Sequence, residues 1–315
     1  MFKDVHHQKQ NGNATGFEWS RVDEASQSVS KIMMAAQKVA NSIISGEHAL
    51  KRSGQGERFW QFRQYDPSDR PQDIDWRQTA KRDSIHVREK EIQRAQIFQF
   101  WCKTGESMCW KGETGPSRPD KISVALVITL ALANVAKNNG EMIKLIEKQG
   151  RGGRSDETFH EMGMALLKED SSFGKKLPSF MHIEKSKNCF PVLAGDFIEE
   201  YEEIEHSVKS LSQQSSGGVI IQVLDPDEVT LPYSGRVLFE SLDTLDDEED
   251  IPNVRDIRQE YIRKFEDHRQ KIENLAKNAG WYYFIHITQD PVAPLLQKLW
   301  HYVSDQRNMS AHLNY

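Results

Sequence analysis

The chain has 315 residues, with 41 Lys and Arg against 47 Asp and Glu, for a net charge of −6. That length can bury a sizeable core in one large domain or two ordinary ones, and the mildly acidic balance speaks against a dedicated DNA-binding protein. Three cysteines, Cys102, Cys109 and Cys189, make no disulfide framework and fit a reducing compartment. Met1 to Gln10 lacks the apolar run of a signal peptide, and Val124 to Ala136 falls short of the roughly 20 residues a membrane span needs. The expectation is a cytoplasmic protein without membrane contact.

Residues 1–18 are polar and read as a disordered N-terminus. From Val22 to Ile44, the positions Val29, Ile32, Met33, Ala36, Val39, Ala40 and Ile43 recur at three- and four-residue steps, which predicts a helix closed by Gly46. Glu47 to Arg94 differs in character: eleven Lys and Arg interleave with Phe59, Trp60, Phe62, Tyr65 and Trp76, and Asp66-Pro67-Ser68-Asp69 is turn chemistry. Ile85, Val87 and Glu89 alternate with His86, Arg88 and Lys90, which predicts a strand. Residues 19–94 thus form a helix followed by an Arg/aromatic extension.

From 95 to 311 strands and helices alternate. Ile97–Trp101 reads as a strand, Lys121–Val135 as an apolar core helix and Met142–Ile146 as a short strand. Glu157–Leu167 is a helix starting at Ser155-Asp156; Phe190–Leu193 is a strand ending at Gly195-Asp196; Ile198–Leu211 is a helix with an acidic face. Gly218–Leu224 (GVIIQVL) is a buried strand ending at Asp225-Pro226, Val237–Phe239 an edge strand, and Asp243–Asp250 an acidic surface loop. A long helix over Val254–Ala279, a strand over Trp281–Ile287 and a helix over Ala293–Val303 close the chain. Such alternation implies an α/β fold with a mostly parallel sheet flanked by helices. Residues 195–250 hold sixteen acidic groups against Lys209 and Arg236 alone, a net of −14. That is a solvated acidic face, or a docking surface for a basic partner or for the basic stretch of this same chain.

The motifs of common chemistries are missing. Gly54-Gln55-Gly56 and Gly150-Arg151-Gly152-Gly153 lack the context of a dinucleotide or phosphate cradle. Cys102 and Cys109 have no second Cys/His pair nearby for zinc, and no G-x-S-x-G elbow occurs. Arg and aromatic residues over 51–94 could form a nucleic-acid platform, but Asp66, Asp69, Asp73 and Asp75 would repel phosphate. Arg–carboxylate pairs pinning the extension in place are the better reading, with Tyr65 and Trp76 buried and Arg63 or Arg77 paired to an aspartate. No cofactor, nucleic-acid partner or catalytic set is expected. The enzyme alternative is a hydrolase using Asp196 and Asp225 at strand ends, where open α/β sheets bind ligands.

One run of residues resembles a known family. Gly54-Gln55-Gly56-Glu57-Arg58-Phe59-Trp60-Gln61-Phe62-Arg63-Gln64-Tyr65, continuing through Asp69 and Ile74-Asp75-Trp76-Arg77-Gln78-Thr79-Ala80-Lys81 to Val87-Arg88-Glu89-Lys90-Glu91, resembles the signature of the domain of unknown function 58 (DUF 58) family. Ala194-Gly195-Asp196-Phe197, Val223-Leu224-Asp225-Pro226-Asp227-Glu228 and Leu231-Pro232 fit the same family in the same order. The resemblance implies that Phe59, Arg63, Tyr65, Asp69, Asp75, Trp76 and Arg77 are signature positions. It implies a von Willebrand factor A-like (Rossmann-like) domain over 95–311, and a gene that accompanies a MoxR-type AAA+ ATPase.

Von Willebrand A domains bind Mg²⁺ through a D-x-S-x-S loop after the first strand, and the matching stretch here is Lys103-Thr104-Gly105-Glu106-Ser107. Asp is replaced by Lys103 and the first Ser by Gly105, so only Ser107 survives; Glu106 falls at a spacer position. An ammonium repels the ion that oxygen ligands would hold. Lys103 can take the ion's place and pair with Asp196, the residue matching the third-loop carboxylate. The resulting expectation is a non-enzymatic interaction or adaptor module with a degenerate metal site, working with a MoxR-type ATPase.

Overall fold

The computed structural model describes residues 30–44, 59–81, 84–90, 95–114, 118–150, 152–168, 173–178, 189–240 and 248–312. The expected disordered segment 1–18 and the Gly46 stop lie outside them. Helix α1 spans residues 30–44. It buries Met33, Ala36, Ala40 and Ile43 in the same core as the main sheet, so its three- and four-residue spacing marks a face.

The extension folds as an antiparallel pair, β1 (Phe59–Gln64) with β2 (His86–Lys90), joined through a one-turn helix α2 (Trp76–Thr79). The central sheet follows: β3 (Ile97–Cys102), α3 (Lys121–Asn138), β4 (Met142–Leu145), α4 (Asp156–Leu167), β5 (Cys189–Gly195), α5 (Tyr201–Ser212) and β6 (Val219–Leu224). After the short helix α6 (Pro226–Thr230) come β7 (Val237–Glu240) and β8 (Glu248–Ile251), then α7 (Val254–Asn278), β9 (Tyr282–Ile287) and α8 (Val292–His312). Five strands pair in parallel in the order β4-β3-β5-β6-β9. The chain is therefore α/β, with a parallel sheet flanked by helices.

The alternation of strand side chains divides the core in two. Phe98, Phe100, Phe190, Val192, Val219 and Ile221 point to the layer of α1, α3, α4 and α8. Trp101, Leu193 and Ile220 point to the layer of α5 and α7, against Ile204, Val208, Leu211, Ile272 and Leu275. Each fully buried Phe or Leu contributes about 1.5–3 kcal/mol by leaving water. Helix α3, long and apolar enough by composition to cross a membrane, has 72% of its residues buried inside this fold. Its N-cap Asp120 accepts a hydrogen bond from Ser123 N at 2.9 Å, which fixes where the helix begins.

The sheet order places the site. From β3 the chain moves to β4 on one side, then crosses to β5 on the other. The connections diverge between β3 and β5, and open α/β sheets have their ligand crevice at the carboxyl ends of such a strand pair.

Two expectations need correction. Trp76 is 66% exposed rather than buried, and Tyr65 is only half-buried. The reason is local: Asp75 spends its carboxylate on Arg77 N and Gln78 N at 3.0 Å, capping α2, and the indole leaves the first turn towards solvent. The acidic stretch read as a loop to Asp250 ends in strand β8, which pairs with β7. Strand β7 borders this separate two-stranded sheet and not the main one.

Candidate functional site

Three acidic or basic residues leave the carboxyl ends of adjacent strands: Lys103 after β3, Asp196 after β5 and Asp225 after β6. Lys103 Nζ lies 2.6 Å from Asp196 Oδ1 and 2.8 Å from Glu199 Oε1. Lys121, the first residue of α3, places its Nζ 3.2 Å from Asp196 Oδ2 and also contacts Glu228 Oε1. Both oxygens of one carboxylate thus face an ammonium group. Asp196 is 0% exposed, Lys121 1% and Lys103 6%. Burial pushes the Asp196 carboxyl up, but Lys121 and Lys103 outweigh it and hold the group below its ordinary range. Burial pulls the Lys103 ammonium down, and Asp196 and Glu199 more than reverse that. For Glu228, burial prevails over the contact with Lys121, and its carboxyl titrates above the usual value.

A second set continues the cluster. Asp225 caps α6, accepting from Asp227 N at 2.8 Å, while Glu228 Oε2 accepts from Asp225 N at 2.9 Å. This reciprocal capping box satisfies two orphan donors of the helix start. Arg118 Nη2 reaches Asp225 Oδ1 at 3.3 Å and Asp227 Oδ1 at 3.1 Å. Thr114 donates to Asp227 through its hydroxyl and through its backbone N at 3.1 Å. Burial raises the Asp227 carboxyl, and the hydrogen bonds from Thr114 and Arg118 outweigh it and lower it. The β3–α3 connection is therefore held at Lys103 beside β5 and again at Thr114 and Arg118 beside β6.

Packing is close around the ends of β3 and β5. A Cβ on Gly195 would stand 2.9 Å from Lys103 Cβ and 3.4 Å from Trp101 Cζ3, so the bare backbone there makes room for the lysine stem. Gly174 has φ +75°, and a Cβ on it would stand 1.9 Å from Cys102 O. That approach lets Thr104 N donate to Gly174 O at 3.0 Å and Thr104 Oγ1 to Phe173 O at 2.6 Å. Phe197 follows Asp196 with φ +51°, a conformation that costs a side-chain-bearing residue about 1–2 kcal/mol. Its ring is fully buried, 6.0 Å from the Trp101 ring centroid, and burial of that size offsets the strain.

The donor set does not suit a resident divalent cation. Such an ion needs several oxygen ligands, whereas two ammonium groups occupy both oxygens of the central carboxylate. Ser107 is 5% exposed, and its hydroxyl lies by Asp196 without a hydrogen bond of good geometry. Gly105 supplies no oxygen from a side chain, and Glu106 points to solvent. No group of three or more His, Cys, Asp or Glu placed to hold a metal occurs among the described residues.

Of the residues singled out in sequence, the structure brings Lys103, Ser107 and Asp196 together, with Gly105 in the loop between. The signature positions gather elsewhere, on the β1–α2–β2 unit. Arg63 Nη2 pairs with Asp69 Oδ1 at 2.8 Å, while Asp69 Oδ2 accepts from Asp66 N at 2.8 Å. Phe59 lies in β1, Asp75 and Trp76 open α2, and Arg77 is exposed. Sequence reasoning missed Lys121 and Arg118 as members of the cluster. Lys121 carried one available signal, a cation opening a helix whose next fifteen residues hold no charge.

No curated protein and no solved structure matches the chain. A family model described as "Protein of unknown function DUF58" matches residues 61–271, a span that holds the Arg63–Asp69 pair, both lysines of the cluster and all five of its carboxylates. The chain belongs to the DUF58 family.

Proposed function

We propose that this protein is a non-enzymatic interaction module of von Willebrand factor A-like architecture, an adaptor for a MoxR-type AAA+ ATPase in the cytoplasm. In this reading Lys103 and Lys121 stand where metal-dependent domains of that architecture keep a divalent cation. The observation that carries it is Asp196, buried with an ammonium group on each oxygen. Such a carboxylate is a poor proton donor, since it is held ionised, and a poor nucleophile or base, since both lone-pair faces are engaged. Asp225 caps α6 through Oδ1, which Arg118 also faces, while its Oδ2 is buried without a hydrogen-bond partner among the described residues. The hydrolase reading therefore loses Asp196 and would rest on Asp225 alone.

The exposed acids Glu200, Glu202 and Glu203 at the start of α5 follow Glu199, the Lys103 partner, and supply long-range attraction for a basic face. The test is binding of the purified chain to a purified MoxR-type ATPase without nucleotide, with and without EDTA, across a salt series. Affinity should be indifferent to EDTA and fall as salt rises, because screening shortens to about 8 Å near physiological ionic strength. Failure to bind, or binding that EDTA abolishes, would refute the adaptor reading.

A further inference from the structure

We propose that the open edge of the central sheet, strand β9, seats a second copy of this chain, the two β9 strands pairing antiparallel about a two-fold axis at Ile285 so that two five-stranded sheets become one.

The edge is read from the ladder. Tyr282 N donates to Gly218 O at 3.0 Å and Thr288 N to Leu224 O at 2.9 Å. The N–H and C=O of one strand residue point the same way, and that direction alternates along the strand. The even-numbered positions therefore turn their backbone groups to β6, and Tyr283, Ile285 and Ile287 turn theirs away from the sheet. Strand β9 ends the strand order, and among the described residues nothing pairs with these outward groups. Of its six residues only His286 is buried, whereas β5 and β6 are buried throughout.

The opposite edge shows what a protected one looks like. Ile143 of β4 exchanges both backbone hydrogen bonds with Gly153, at 2.8 and 3.1 Å, and the strand carries Lys144. Sheets guard their edges by such cover, or by charge, proline or a bulge. Strand β9 reads YYFIHI, without a Lys, Arg, Asp, Glu or Pro, and its register with β6 runs unbroken from Tyr282 to Ile287. An apolar edge left this open is a surface for strand addition.

The register selects a second copy over another extended segment. With Ile285 opposite itself in antiparallel sense, Tyr283 faces Ile287 of the second copy and Ile287 faces its Tyr283. All three outward residues then form hydrogen-bonded pairs, and each outward N–H and C=O finds a partner. One face carries Tyr–Ile and Ile–Ile pairs; on the other Phe284 meets His286 and Tyr282 meets Thr288. Aromatic and β-branched pairs of this kind stabilise antiparallel neighbours, and no carboxylate or ammonium opposes its like. The contact uses the same strand on both copies, so it is isologous and closes at two.

The inference does not rest on the ATPase reading, and its test contains the full chain alone. Sedimentation velocity over a concentration series should show monomer giving way to dimer and nothing larger, with no loss at high salt. Ile285→Lys sets two ammonium groups opposite each other across the axis, and Ile285→Glu sets two carboxylates. Each should weaken association by about tenfold or more. Ile285 is only half-buried, so circular dichroism should show unchanged folds. The decisive arm is mixing. A self-opposed position places lysine against glutamate only in the mixed pair, so the two variants together should form a one-to-one heterodimer that salt now weakens. Should either charge disturb the fold, Ile285→Cys in a Cys109→Ser background reads the same register. Hydrogen-bonded partners sit about 5.5 Å apart at Cα, within reach of a disulfide, and the two remaining native cysteines are buried. Mild oxidation should then give a covalent dimer. A wild-type chain that is monomeric at every concentration would overturn the proposal. So would a mass beyond the dimer, a dimer untouched by Ile285→Lys, or variants that neither complement nor cross-link.

Discussion

Lys103→Met isolates the energetics of the buried cluster. Methionine keeps most of the stem volume and removes the ammonium that lies 2.6 Å from Asp196 and 2.8 Å from Glu199. Breaking a buried pair by deleting one partner costs about 3–5 kcal/mol, because the remaining charge stays desolvated. Here Lys121 still holds the other Asp196 oxygen at 3.2 Å, which places the loss near the lower end, about 3 kcal/mol. At roughly 2–4 °C per kcal/mol for a large domain, Tm should fall by about 6–12 °C. Urea unfolding followed by tryptophan fluorescence should show a lower midpoint with an unchanged slope.

The pH dependence sharpens the test. Asp196 has a depressed folded pKa. Its contribution is present above the unfolded carboxylate pKa of about 3.9 and is lost as pH falls through the folded value. Lys103 has a raised folded pKa. Its contribution is present below the unfolded value of about 10.4 and is lost as pH rises through the folded one. The gap between wild type and variant should be widest near neutrality and narrow towards both extremes. A variant as stable as the wild type at pH 7 would refute the claim that this pair stabilises the fold.

Thermal melts of the wild type with EDTA and with millimolar Mg²⁺ or Mn²⁺ should coincide, since a bound ion would add RT ln(1 + [L]/Kd). Lys103→Asp with Gly105→Ser rebuilds the metal motif, and the one atom within 4 Å of a Cβ at Gly105, Lys103 Cε, leaves with the first substitution; this variant should gain a metal-dependent rise in Tm. Gly195→Ala forces a Cβ to within 2.9 Å of Lys103 Cβ and should cost about 1–3 kcal/mol in urea titrations. Trp76→Ala, at a residue 66% exposed, should change stability by no more than about 0.5 kcal/mol. Asp75→Ala removes the α2 cap and should cost about 1 kcal/mol.

The sheet was legible because burial on both faces writes itself as apolar runs, and GVIIQVL at Gly218–Leu224 became β6 almost residue for residue. Half of the buried cluster was legible too: a lysine and an aspartate at two strand ends, which the structure brings to 2.6 Å. The other half was not. Lys121 meets Asp196 across 75 residues of chain and Glu228 across 107, and only the sheet order makes them neighbours. Trp76 failed for a different reason. An aromatic amid arginines and aspartates reads the same whether it is clasped or displayed, and the outcome turned on whether Asp75 bonded a guanidinium or its own backbone.

Helix α1 has a consequence for how the protein is made. Its Met33, Ala36, Ala40 and Ile43 share a core with Leu296, Leu299 and Val303 of α8. Met33 also packs on Gly163 of α4, so the helix can begin its burial only after α4, and the core it shares is complete only when α8 has left the ribosome. At about 5–20 residues per second, its apolar face waits on the order of ten seconds for α4 and longer for the rest of the core. Over that interval vectorial synthesis exposes a sticky amphipathic segment, and a nascent-chain chaperone that holds such helices would set how much of this protein reaches its folded state.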